Sequence, residues 1–186
     1  MERLEEICKS KVHGIILREK DLTPEAYENL ALQVLKLCNA YGVTCILHSF
    51  TEVAEKLSHK AIHVTMEKLR SMTEEERSYY TCLGASCHSI DEAVEGEKLG
   101  CSYVTYSHVF PTKCKEGLEP KGVDLLEQVC RTVKIPVYAL GGINEKNAAD
   151  TIKAGARGIC SMAQYMTEKD VERWTTSLRA SLEKGD

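Results

Sequence analysis

Short apolar runs rich in β-branched residues alternate with amphipathic helical patterns along nearly the whole chain, and this alternation restricts the fold more than any other feature. Gly14–Arg18, Val43–Leu47, Ala61–Val64, Cys82–Ala85, Tyr103–Tyr106, Pro136–Leu140 and Arg157–Ser161 each read as a buried strand. Helical signals fill the gaps. Thr23-Pro24-Glu25 opens a helix whose apolar positions run through Leu30, Val34, Leu35 and Cys38 to Gly42. Thr51 caps a helix through Leu57, Ser89 with Glu92 at capping-box spacing opens one that Gly100 ends, and Val171–Leu182 is a terminal helix carrying Trp174. The charged connection through Glu74-Glu75-Glu76 reads as solvated surface. Strands that are apolar along their length and separated by helices imply parallel β/α units. There is no repeat of fixed sequence and no linker, so residues 1–186 read as a single domain.

Composition narrows the partners. With a net charge of -4 and a pI near 5.9, the chain has no broad basic surface for nucleic acid, and any anion site must be local. No apolar run reaches the length of a membrane span, and Met1–Glu6 is charged where a signal peptide needs an apolar core. A cytoplasmic protein is expected. The nine cysteines are odd in number and lack a Cys-x-x-Cys pair, and Cys45, Cys82 and Cys160 lie inside apolar patterns. They read as small hydrophobic residues and not as a disulfide framework.

Functional groups in a β/α barrel gather at the carboxyl ends of the strands. The stretch Tyr103–Gly122 offers the richest such end, with Ser107-His108 closing a strand before a loop that carries Lys113, Cys114 and Lys115 on a mobile tether. A histidine there places a proton carrier beside an anion-binding arm; the plainer alternative is a surface histidine next to a solvated loop. Gly141-Gly142 lets backbone N–H groups approach a ligand, and the following helix start adds its dipole. The turn Ser161-Met162-Ala163 after the last strand completes the arrangement of a barrel phosphate site. Paired carboxylates for a divalent metal are missing from these ends, which read Arg18-Glu19-Lys20, His48-Ser49, Thr65-Met66 and Ser86. His48, His63 and His108 are zinc-compatible in kind but lack a ligand motif. Cys114 between two lysines is a candidate for a lowered thiol pKa, though it has no evident partner base.

Taken together, Leu17–Asp21 (LREKD), Ser86–Ser89 (SCHS), Val109–Thr112 (VFPT) and Ala139–Ile143 (ALGGI) resemble the thiamine phosphate synthase and TenI superfamily over nearly the whole chain. The resemblance implies an α/β fold, a TIM-type (β/α)8 barrel binding a thiazole ethyl phosphate. The visible sequence lacks the first β-strand of that barrel and shows seven parallel strands. Synthases of the superfamily hold magnesium with aspartates after an Ile-Ile-Asn-Asp-Arg-like strand and in a Gly-Gln-Glu-Asp-like turn. The corresponding residues here are Ser49 and Lys68, and Ile16 replaces the glutamine two before the arginine. The segments His108–Phe110, Cys114-Lys115 and Gly117–Glu119 are instead similar to the thiazole tautomerase branch, whose catalytic histidine falls on His108. Ser107 departs from that branch, where glycine commonly precedes the histidine.

The resemblance therefore implies a metal-independent thiazole phosphate tautomerase of thiamine biosynthesis with His108 as general acid and base. Gly141, Gly142, Met162 and Ala163 would bind phosphate, while Arg18, Lys20, Ser86 and Lys115 would supply further substrate contacts. No cofactor is expected, and magnesium enters only if the chain is a synthase-like transferase, the first alternative; a non-catalytic thiazole phosphate binder is the second. The expected partner is the small-molecule thiazole phosphate, without nucleic acid or membrane. The missing strand leaves Ile15–Arg18 and Gly158–Ser161 as unpaired neighbours, so the chain is expected to belong to a longer protein or to close the gap with a partner, for example as a homo-oligomer.

Overall fold

The computed structural model describes residues 1–185, with the Cys114 side chain also outside the described residues. Seven strands, β1 (Gly14–Leu17), β2 (Thr44–His48), β3 (Ala61–Thr65), β4 (Cys82–Cys87), β5 (Tyr103–Ser107), β6 (Val137–Leu140) and β7 (Gly158–Cys160), form one parallel sheet in chain order. The helices are α1 (Glu2–Lys9), α2 (Pro24–Tyr41), α3 (Thr51–Lys56), α4 (Met66–Ser71), α5 (Glu74–Ser78), α6 (Ile90–Lys98), α7 (Gly122–Thr132), α8 (Ala148–Lys153), α9 (Ala163–Thr167) and α10 (Val171–Leu182). The sheet curls into a TIM-like half-barrel, as the alternation of strand and helix demands.

Burial follows position in the sheet. All five residues of β5 are buried, whereas β7 is only half-buried and Gly14 of β1 is exposed. Among the described residues β1 pairs only with β2 and β7 only with β6. The helical layer nevertheless continues across this seam, because α1 packs against both α2 and α10. The Ser10 and Thr175 hydroxyls meet there at 3.1 Å, and Arg179 donates to the Lys11 carbonyl.

Local chemistry explains the element ends. The Thr23 hydroxyl accepts the Ala26 N–H at 3.2 Å to open α2, and Gly42 closes it in the left-handed region at φ 65°. The charged connection is solvated as expected, with Glu74, Glu75 and Glu76 exposed, and it is helical in α4 and α5, where Thr73 and Glu76 form a reciprocal capping box. One expectation needs correction. The helix after Gly142 starts only at Ala148, so those glycines do not belong to its first turn.

The interior is crossed by a string of rings. His48 faces His63, His63 faces Tyr103 and Tyr103 meets Tyr138, with centroids 5.5, 5.5 and 5.6 Å apart. Gly84 in the middle of β4 makes this possible, because a Cβ there would overlap the Tyr103 phenol ring. Gly84→Ala is accordingly expected to cost about 1–3 kcal/mol, the usual penalty for overpacking a filled core. Chemical denaturation measures it, and an unchanged midpoint would mean that the ring moves aside freely.

Candidate active site

At the carboxyl ends of β1 and β2, exposed Arg18 and Lys20 stand over a buried histidine. His48 is 6% exposed; its backbone N–H donates to the Tyr27 hydroxyl at 2.9 Å, and that hydroxyl donates to the Leu17 carbonyl at 2.7 Å. Tyr27 thus ties β1 to β2 and stacks on Phe50 at 4.0 Å. Ser49, at φ 65°, places its hydroxyl 2.7 Å from His48 Nδ1. Burial, followed by the charges of Arg18 and Lys20, lowers the His48 pKa to about 4. The same cations are suited to receive an anionic substrate.

One layer deeper, His63 of β3 is satisfied on both sides. Its Nδ1 lies 2.9 Å from the Tyr103 hydroxyl, while Nε2 lies 2.9 Å from Ser86 Oγ and 3.4 Å from Thr105 Oγ1. Burial, then His48 and Arg18, lowers its pKa to about 3, and burial pushes the Tyr103 phenol up. Both groups are therefore neutral near pH 7. Ser86 is the one residue of this inner network also expected from the sequence.

His108 follows β5 directly and is 4% exposed. Its Nε2 is 3.3 Å from the Leu118 carbonyl. A carbonyl oxygen only accepts, so in the neutral ring Nε2 carries the hydrogen and Nδ1 keeps the free lone pair. The loop beyond is not a free tether. Lys121 N–H donates to His108 O at 2.9 Å and Gly122 N–H to Val109 O at 3.0 Å, closing the loop at its base. A 3-10 turn, Lys113–Lys115, shapes its tip. Burial and neighbouring Lys121 lower the Lys115 pKa, so two cations approach each other in this loop. The Cys114 thiol, a candidate for a lowered pKa but read as incidental for want of a partner base, lies outside the described residues.

The turn after β6 is moulded to the His108 segment. Val109 and Phe110 N–H groups donate to Leu140 and Gly141 carbonyls, each at 3.0 Å. Gly141 and Gly142 have φ of 101° and 68°; a Cβ on Gly141 would overlap His108, and one on Gly142 would lie 2.5 Å from Pro111 O and 2.7 Å from Phe110 O. Packing alone thus requires both glycines, whatever they bind. Leu140 and Cys160 are register partners, which sets this turn beside exposed Met162 and Ala163, the latter opening α9. Ser86 lies within β4, one residue before its end, and the other site residues expected from the sequence lie beyond the carboxyl end of a strand or in the loop that follows it; His108 and Gly141 are brought into direct packing contact. Among the described residues, no three His, Cys, Asp or Glu side chains converge as a metal-binding group. No described helix is long and apolar enough to cross a membrane.

Parallel strands alternating with helices define a TIM-type β/α protein, and the imidazoles, cations and glycine turn at the carboxyl ends of its strands form a candidate site at the end where such folds usually carry one. The family described as TMP-TENI, thiamine monophosphate synthase, matches residues 1–164, and the chain belongs to it. Thiamine-phosphate synthase 2 of Streptococcus pneumoniae is 30% identical over 183 residues, covering 98% of this chain and 87% of that one. Thiamine-phosphate synthase of Pyrococcus furiosus is 31% identical over 185 residues, covering 99% and 89%. Among solved structures, thiamine phosphate pyrophosphorylase from Pyrococcus furiosus superposes with a TM-score of 0.86 at 28% identity, covering 99% of this chain and 89% of that one.

Proposed function

We propose that the chain is a thiazole phosphate tautomerase that moves a proton without a metal ion. The names of the relatives favour the other reading, a synthase joining a pyrimidine pyrophosphate to thiazole phosphate, and that remains the second reading. One observation carries the first. The two positions that correspond to the superfamily's magnesium aspartates hold Ser49, whose hydroxyl bonds His48, and Lys68, a cation, while a buried imidazole with a free Nδ1 lone pair stands at His108. A pyrophosphate leaving group needs its charge neutralised, which this residue set does not favour. Proton removal next to a carboxylated ring needs less: one base, one acid and a held anion. In this reading Arg18, Lys20 and Lys115 attract the carboxylate and phosphate, Ser86 contacts the substrate, and the Gly141–Gly142 and Met162–Ala163 turns hold the phosphate through backbone.

Aromatisation of the carboxylated thiazole phosphate, followed by ultraviolet absorbance, is expected to proceed at the same rate before and after treatment with excess chelator. A rate abolished by chelator and restored by magnesium would favour the synthase reading.

A further inference from the structure

We infer that His88 is a second proton carrier of this site, held in its working tautomer by Ser107, a role that rests on the tautomerase reading. Cys87 and Tyr106 are register partners, so His88, just past the end of β4, follows beside Ser107, the last residue of β5, and Ser107 directly precedes His108. His88 Nδ1 lies 2.9 Å from the Ser107 carbonyl and 3.1 Å from its hydroxyl. The carbonyl can only accept, so Nδ1 carries the hydrogen and Nε2 is left free. His108 is held the opposite way, through Nε2, with Nδ1 free. The backbone N–H of His88 donates to Glu92 at 2.7 Å, which fixes the residue at the start of α6. The two imidazoles differ in access. His108 is buried and His88 is exposed, so His88 is the ring in open contact with water.

This arrangement divides the reaction. Nδ1 of neutral His108 takes the proton from the ring carbon bearing the carboxylate, and the electron pair of that C–H bond moves through the conjugated system. The carbon at its far end takes a proton from Nε2 of protonated His88. One C–H bond breaks and one forms, with no oxidant or reductant, and water then resets the two rings. Ser107, the residue that departs from the glycine common in the family, is a positioning residue here. Its hydroxyl gives Nδ1–H a second acceptor that glycine lacks.

The test uses the full chain with the carboxylated thiazole phosphate in deuterated buffer. Wild type is expected to aromatise it. His88→Gln is expected to lower kcat at least tenfold with KM within about threefold, while exchange of the substrate's ring hydrogen for deuterium continues; His108→Gln loses both. Ser107→Gly is expected to lower kcat a few-fold and to shift the pH-rate profile, and nitrogen NMR of wild type should show the neutral His88 ring protonated at Nδ1. Wild-type kcat in His88→Gln, loss of exchange together with turnover in that variant, or an Nε2–H tautomer would overturn the assignment. A wild-type protein that does not aromatise the substrate overturns the tautomerase reading itself, and this role with it.

Discussion

His108→Gln is expected to lower kcat for aromatisation by about 10²–10⁴-fold, the range that positioned acid–base groups contribute, and to leave KM within a few-fold. Glutamine can still donate to the Leu118 carbonyl, which His108 Nε2 approaches at 3.3 Å, so the loop has little reason to move. It cannot carry the proton. The glycine turn packed beneath residue 108 meets the Cα and Cβ of His108 and the main chain of this segment, all of which glutamine keeps, so the candidate anion site is expected to be retained. Steady-state kinetics with a matched unfolding curve separates the possibilities. A kcat near wild type would remove His108 from the chemistry, whereas a collapse of KM and stability together would make it a packing residue.

Stability should fall steeply on mild acidification, because His48 and His63 are buried neutral. In the unfolded chain both take up a proton near pH 6.5, but in the folded protein they resist until about pH 4 and about pH 3. The unfolded state therefore binds more protons throughout this window, and the stability these depressed pKa values confer is present above pH 6.5 and lost as pH falls. Two such groups cost about 4 kcal/mol between pH 7.5 and pH 5 at about 1.4 kcal/mol per unit each. That is a large share of a typical 5–15 kcal/mol. Ordinary carboxylates titrate mostly below this window, so urea unfolding at pH 7.5, 6 and 5 isolates the histidines. A flat free energy would show that water or a shifted ring solvates them in the native state.

The strands were legible because each is a short apolar run between helix signals, and observed ends differ by a residue or two from those read, as at Cys82–Cys87 against Cys82–Ala85. Helices α4 and α5 were hidden by their charge, although Thr73 with Glu76 three residues on spelled out the cap. His108 was readable from its place at a strand end and from the family resemblance. The His63–Tyr103 pair was not, because its partners are 40 residues apart and His63 sits in an apolar run where it looks merely packed. The one local clue was Gly84, since a glycine inside a strand marks a close approach by something else. At Gly141 and Gly142 the sequence suggested a ligand, and the structure adds a second demand, the backbone of Phe110 and Pro111 where side chains would be.

The most direct test of metal-free tautomerisation gives the same purified protein both reactions in parallel, aromatisation of the carboxylated thiazole phosphate with chelator, and coupling of thiazole phosphate to the pyrimidine pyrophosphate with magnesium, and compares kcat/KM. The account predicts a value for aromatisation at least a hundredfold above that for coupling, whereas efficient coupling with negligible aromatisation would contradict it and make the chain a synthase like its named relatives.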